Sequence, residues 1–152
     1  MDNPIKKMLV AIDGSETAAK ALDYALNLAE KCGAEVQIIS VVPPVESIMP
    51  RFTLATPPST VYTTFIDEVE KRLKNVLSEA LKEAREKRPN LKISTKLITG
   101  RPADTIIQTA KEENVDLIVV GSRGLSGVEE IVLGSVSDRV ADYATCPVLI
   151  VK

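Results

Sequence analysis

The sequence predicts an α/β protein built on an open, doubly wound sheet of five parallel strands, with helices on both faces. Three observations lead there. Short apolar runs alternate along the chain with longer segments of helical periodicity, the pattern of successive strand–helix–strand crossovers. The runs Met8-Leu9-Val10-Ala11-Ile12 and Leu117-Ile118-Val119-Val120 contain no polar residue, as expected of strands covered on both faces. Each is followed closely by glycine, in Asp13-Gly14 and at Gly121. These two strands are therefore placed at the centre, where the winding direction reverses and a ligand crevice opens.

The elements follow in order. After the first strand, Ala18, Leu22, Ala25 and Ala29 recur at helical spacing, so a helix is expected from about Ser15 to Cys32, with Gly33 as its stop. Val36 to Val42 reads as the second strand, ended by Pro43-Pro44. Residues 43–60 carry Pro50, Pro57 and Pro58 as well and show no periodicity. They are expected to form a long loop at the carboxyl end of that strand, mobile without ligand and closing near the ligand or a partner when ligand binds. A long helix is expected from about Tyr62 to Lys87, with Ile66, Val69, Leu73, Val76, Ala80 and Ala84 as its apolar stripe and Pro89 closing it. Lys82, Arg85, Lys87 and Arg88 are interleaved with glutamates, as on a solvated face.

Leu91 to Thr99 alternates, with Lys92, Ser94 and Lys96 on one face, and suits an edge strand with one wet side. Pro102 can open the next helix, with Asp104 in its first turn. After the fourth strand and a glycine-rich stretch, a helix is expected from about Ser135 to Ala144. Cys146 to Val151 is the last strand, with Pro147 near its start.

Composition narrows the function. The 152 residues suit one domain, and 45% hydrophobic residues can fill one core. Net charge is −2, with both signs scattered, which argues against a nucleic-acid partner. No apolar run reaches the length of a membrane span, and a polar N-terminus leads straight into the first strand. A cytoplasmic location without membrane contact is expected. The absence of histidine excludes a histidine base and the commonest zinc sites. Two cysteines make no disulfide framework, and Cys32, at a helix C-terminus, reads as packing.

The chemistry concentrates in Gly121-Ser122-Arg123-Gly124-Leu125-Ser126-Gly127, continuing to Gly134-Ser135-Val136-Ser137. Glycine permits positive φ and close approach of a ligand, and successive backbone N–H groups in such a turn make an anion-binding concavity. Gly134-Ser135 opens a helix whose N-terminus adds further unpaired N–H groups, and the hydroxyls of Ser135 and Ser137 can donate too. Two anion sites joined by a short spacer suit a polyphosphate. The plainer alternative is a tight turn from strand to helix. No Gly-Lys-Ser/Thr occurs, so this is no Walker A loop, and the glycine spacing is not the dinucleotide fingerprint.

Gly121-x-x-Gly124, nine residues, then Gly134-Ser135 resembles the ATP-binding signature of the universal stress protein family, G-x2-G-x9-G-[S/T]. Ile12-Asp13-Gly14-Ser15 and the terminal Pro147-Val148-Leu149-Ile150-Val151 resemble the family as well, as does the succession of elements over the whole chain. The resemblance implies the strand order 3-2-1-4-5 and an adenine nucleotide, ATP or else ADP or AMP, with Mg2+, across the ends of the first and fourth strands. It implies ligand contacts at Asp13, Val41, Gly121, Gly124, Gly134, Ser135, Val136 and Ser137, with Val41 meeting adenine through its backbone, and Arg123, the basic residue inside the signature, can meet a phosphate. It also places Cys146–Val151 at a sheet edge, where a homodimer is expected.

Two of these residues have plainer readings. Asp13-x-x-Glu16 has capping-box spacing, and Arg123 can equally point to solvent. The expected function is an ATP-dependent dimeric switch in stress response. The alternatives are a slow ATPase or phosphoryl-transfer enzyme, a scaffold without nucleotide, and an electron carrier of the same architecture. The last is disfavoured by two phenylalanines, three tyrosines and no tryptophan to stack a flavin. Without a P-loop lysine or an evident arginine finger, efficient catalysis is not expected.

Overall fold

The computed structural model describes residues 3–48, 59–124 and 133–152. Its elements are β1 (Lys7–Ala11), α1 (Glu16–Cys32), β2 (Glu35–Val42), α2 (Val45–Ile48), α3 (Ser59–Lys87), β3 (Ile93–Thr99), α4 (Pro102–Glu112), β4 (Leu117–Gly121), α5 (Ser135–Tyr143) and β5 (Val148–Val151). All strand pairs are parallel and the sheet order is β3-β2-β1-β4-β5, as expected.

Strand alternation sorts the core into two layers. Met8, Val10, Val36, Ile38, Leu117 and Val119 face α1 and α3, packing on Ala21, Ala25, Ala29, Leu77 and Ala84. Leu9, Ile39, Ile118 and Val120 face α4 and α5, packing on Ala103, Ile106, Ala110 and Val140. The chain winds outward from β1 to β3 over the first face and returns through α4 to β4 on the second. Neighbouring β1 and β4 therefore send their chains to opposite faces, and the sheet opens between their carboxyl ends.

Helix ends follow their local chemistry. Gly33, at φ 69°, ends α1 in the left-handed region, its N–H donating to the Ala29 carbonyl. Pro102 opens α4, where its missing N–H costs nothing. Arg139 of α5 pairs with Asp104 of α4 at 2.7 Å, joining the two helices of that face. Toward the amino ends of the strands, Lys7 and Gln37 hydrogen-bond Glu113 and hold its carboxyl below the usual carboxylate range.

Three expectations are corrected. The stretch 43–60 is not one long loop, because it contains α2 and the start of α3 at Ser59; residues 49–58, where closure on ligand binding was expected, lie outside the described residues. β3 does not keep a single dry face, since Leu97 packs on the first layer and Ile98 on the second. β5 begins at Val148; the carbonyl of Pro147 already accepts from Ile118 N at 3.0 Å, while a proline has no N–H with which to continue the ladder backwards.

The 29 residues of α3 span about 43 Å, against about 26 Å for the eight of β2. Among its described residues Leu73, Leu77 and Ala84 are buried. The turns before Leu73 consequently overhang the carboxyl edge of the sheet.

Candidate functional site

A cavity of about 640 Å³ lies over the carboxyl ends of β1, β2 and β4. Asp13, Val41, Gly121, Arg123, Gly124, Gly134, Ser135, Val136 and Ser137 all line it. So do residues that sequence reasoning missed: Pro43, Pro102 and Ile106, and a wall of α3 formed by Phe65, Glu68, Val69, Arg72 and Leu73.

The turn after β1 is fixed from both sides. Ile12 N donates to the Ile39 carbonyl at 2.9 Å, and the buried Ser40 hydroxyl donates to the Ile12 carbonyl at 2.7 Å. Asp13 does not cap α1. Its Oδ1 accepts from Ser15 N at 2.9 Å, closing a local turn, and Ser15 is the cap, accepting from Ala18 N. Glu16 is the first helical residue, so the capping-box spacing is not used. Gly14 sits at φ 87°, and a Cβ there would lie 3.2 Å from Val76 of α3. A side chain at this position would be both strained and crowded. The other oxygen of Asp13 points toward the glycine loop, 3.3 Å from where a Cβ on Gly124 would be.

Gly121, Gly124 and Gly134 do not act through positive φ; among the described glycines only Gly14 and Gly33 adopt it. Gly121 serves close packing. A Cβ there would lie 2.7 Å from the Thr17 carbonyl carbon and 2.8 Å from Ala18 N. Thr17 is a further residue that sequence reasoning missed: its hydroxyl donates to the Arg123 carbonyl at 2.6 Å and ties α1 to the start of the loop. At the far end, Gly134 N donates to the Ser122 carbonyl at 2.8 Å. The Ser137 hydroxyl lies 2.9 Å from the Gly134 carbonyl and 3.2 Å from that of Ser122. Its single proton is therefore engaged by main chain, and toward the cavity it can only accept. Leu125, Ser126 and Gly127 lie outside the described residues.

The cavity has two chemically distinct halves. Val41, Pro43, Phe65, Val69, Leu73, Pro102 and Ile106 form an apolar half. Gly121, Gly124 and Gly134–Ser137 form the other, where the first turn of α5 presents N–H groups without intrahelical acceptors. The arrangement can hold a flat apolar group at one end and an anion at the other. Among the described residues no group of three or more His, Cys, Asp or Glu could hold a metal by itself.

The family model described as "Universal stress protein family" matches residues 4–152. The universal stress protein YxiE of Bacillus subtilis (strain 168) is 45% identical over 150 residues, covering 96% of this chain and 98% of the relative. Among solved structures, the universal stress protein UspA from Lactobacillus plantarum superposes with a TM-score of 0.82 at 25% identity, covering 97% of each chain. A universal stress protein solved in complex with cAMP gives 0.70 at 28% identity, again covering 97% of each.

Proposed function

This chain belongs to the universal stress protein family, and on that premise we propose that it binds an adenine nucleotide, ATP first among them, in the cavity between β1 and β4. The observation that carries this is the two-halved cavity at the reversal of winding. The apolar lining suits a purine ring, and the glycine loop with the start of α5 offers backbone N–H groups to phosphates. The similar protein in complex with cAMP supports an adenine ligand. Mg2+ suits this arrangement because it binds through one or two carboxylates plus substrate phosphates, and Asp13 has a carboxylate oxygen outside its local turn. Mass spectrometry of nucleotide released on denaturation, followed by calorimetric titration of the emptied protein, tests this directly. A protein with no measurable affinity for ATP, ADP or AMP contradicts it.

The nucleotide-loaded form acts, in this proposal, as a cytoplasmic homodimeric switch read by other proteins under stress. β5 is an edge strand with four partly buried apolar residues. The carbonyls of Pro147 and Val151 point inward to Ile118 N and Ser122 N, so by strand alternation Ile150 directs its N–H outward. Ile150→Pro removes that outward donor and leaves the inner ladder intact. Light scattering should show its mass falling from dimer to monomer, with the melting temperature measured alongside. A wild-type protein that is monomeric at high concentration speaks against the dimer.

The site favours holding ATP over cleaving it. Backbone donors stabilise ground-state phosphates, and uniform binding of that kind gives affinity without rate. Turnover with Mg2+ is expected below about one per second, under the usual range for enzymes. Faster turnover that Asp13→Ala abolishes while ATP binding persists would favour an ATPase.

A further inference from the structure

α3 is absent from the glycine signature, yet it forms one wall of the cavity. Phe65, Val69 and Leu73 follow one another at a spacing of four along the helix and supply apolar surface. Arg72 lies on the same wall. Its Nη1 donates to the Asp13 carbonyl at 3.3 Å, which leaves four of the five guanidinium donors for other partners. Lys74, Lys87 and Arg88 on or beside this helix each pair with a glutamate. Arg72, like Lys71, Lys82 and Arg85, pairs with no carboxylate among the described residues, and of these four it is the one that lines the cavity.

The position of Arg72 is also constrained. A Cβ on Gly14 would lie 3.8 Å from its Nη1 and 3.2 Å from Val76, so the glycine lets α3 approach the turn that carries Asp13. That turn faces the glycine loop, with Asp13 Oδ2 beside Gly124. A carboxylate beside an anion site opposes a phosphate chain unless positive charge offsets it. Arg72 brings positive charge to this site from the α3 wall. Arginine suits this position because its planar fork can bond a carbonyl and a phosphate oxygen together.

We infer that Arg72 is a ligand contact that reads the charge of the phosphate chain, its guanidinium bridging the Asp13 carbonyl and a phosphate oxygen of the nucleotide. This rests on nucleotide binding in the same cavity. The experiment titrates the wild-type protein, Arg72→Gln and Arg72→Lys with ATP and with adenosine, at low and high salt, with a thermal melt of each. ATP affinity of Arg72→Gln should fall about tenfold and adenosine affinity about twofold or less, since only ATP carries charge at the contact. Arg72→Lys should retain part of the ATP affinity, and salt should narrow the gap between wild type and Arg72→Gln. Equal losses for ATP and adenosine would overturn the inference, leaving Arg72 as a prop for the Asp13 turn. So would unchanged ATP affinity in Arg72→Gln. Both of those results leave nucleotide binding standing, whereas a wild-type protein that binds neither ligand overturns the two together.

Discussion

Gly121→Ala should destabilise the fold by about 2–3 kcal/mol, the upper part of the range for overpacking a tight contact. The added methyl would meet the Thr17 hydroxyl at 2.6 Å and, at nearly the same distance, main chain of α1 that cannot swing aside, the Thr17 carbonyl carbon and Ala18 N. To admit it, α1 must shift away from β4 or β4 must bend. Either movement disturbs Ala18 and Ala21, both buried beneath the helix. For a chain of this length the melting temperature should fall by about 4–12 °C. Calorimetric or spectroscopic melting of nucleotide-free protein is the appropriate measurement, because it separates packing from ligand loss. An alanine variant that melts with the wild type but binds nucleotide poorly would mean that Gly121 serves the ligand alone.

Gly124→Val should give the reverse pattern. Around Gly124 the nearest atom a Cβ would meet is the Asp13 carboxylate oxygen, at 3.3 Å, and the residue is exposed. The fold has little to lose there. A valine, however, projects into the space between the glycine loop and Asp13, where a phosphate must come close to backbone. ATP affinity should drop at least tenfold, about 1.4 kcal/mol, while the melting temperature of the empty protein stays near that of the wild type. Titration calorimetry checks the first and a melt the second. Unaltered ATP affinity would move the phosphates away from this loop.

These paired substitutions mark where the sequence was informative and where it was not. The strand order followed from a resemblance, but the central places of β1 and β4 were legible in their unbroken apolar runs. The glycine segment was legible because its parts are local: Gly121 ends a strand and Gly134 caps the helix that follows. The distinct jobs of those glycines were hidden. That Gly121 accommodates α1 depends on Thr17, more than a hundred positions earlier, and periodicity carries no such information. Asp13 lines the cavity, yet the cap of α1 is Ser15, two positions on; two nearby residues of similar capping preference cannot be separated until the helix start is seen. The wall formed by α3 was the largest omission. Val69 and Leu73 were read as core stripe, and a stripe does not reveal that its first turns extend past the sheet edge.

The strand order has a consequence for how the molecule is made. β1, the first strand to be synthesised, lies at the centre, and its partner on one side is the fourth strand, Met8 pairing with Leu117. Asp116 fixes that register by accepting from the main-chain N–H groups of Lys6 and Lys7, the latter 109 positions away. Until β4 emerges from the ribosome, β1 has β2 on one side and a bare edge on the other. At about 5–20 residues per second, that half-built sheet persists for several seconds. Its open edge is a surface for chaperones, or for mispairing with a neighbouring nascent chain. The crevice between β1 and β4 is completed only when that long-range pairing closes, a slow kind of step because the loop entropy is lost first. A ligand held there would stabilise the finished fold and do nothing for the half-built one.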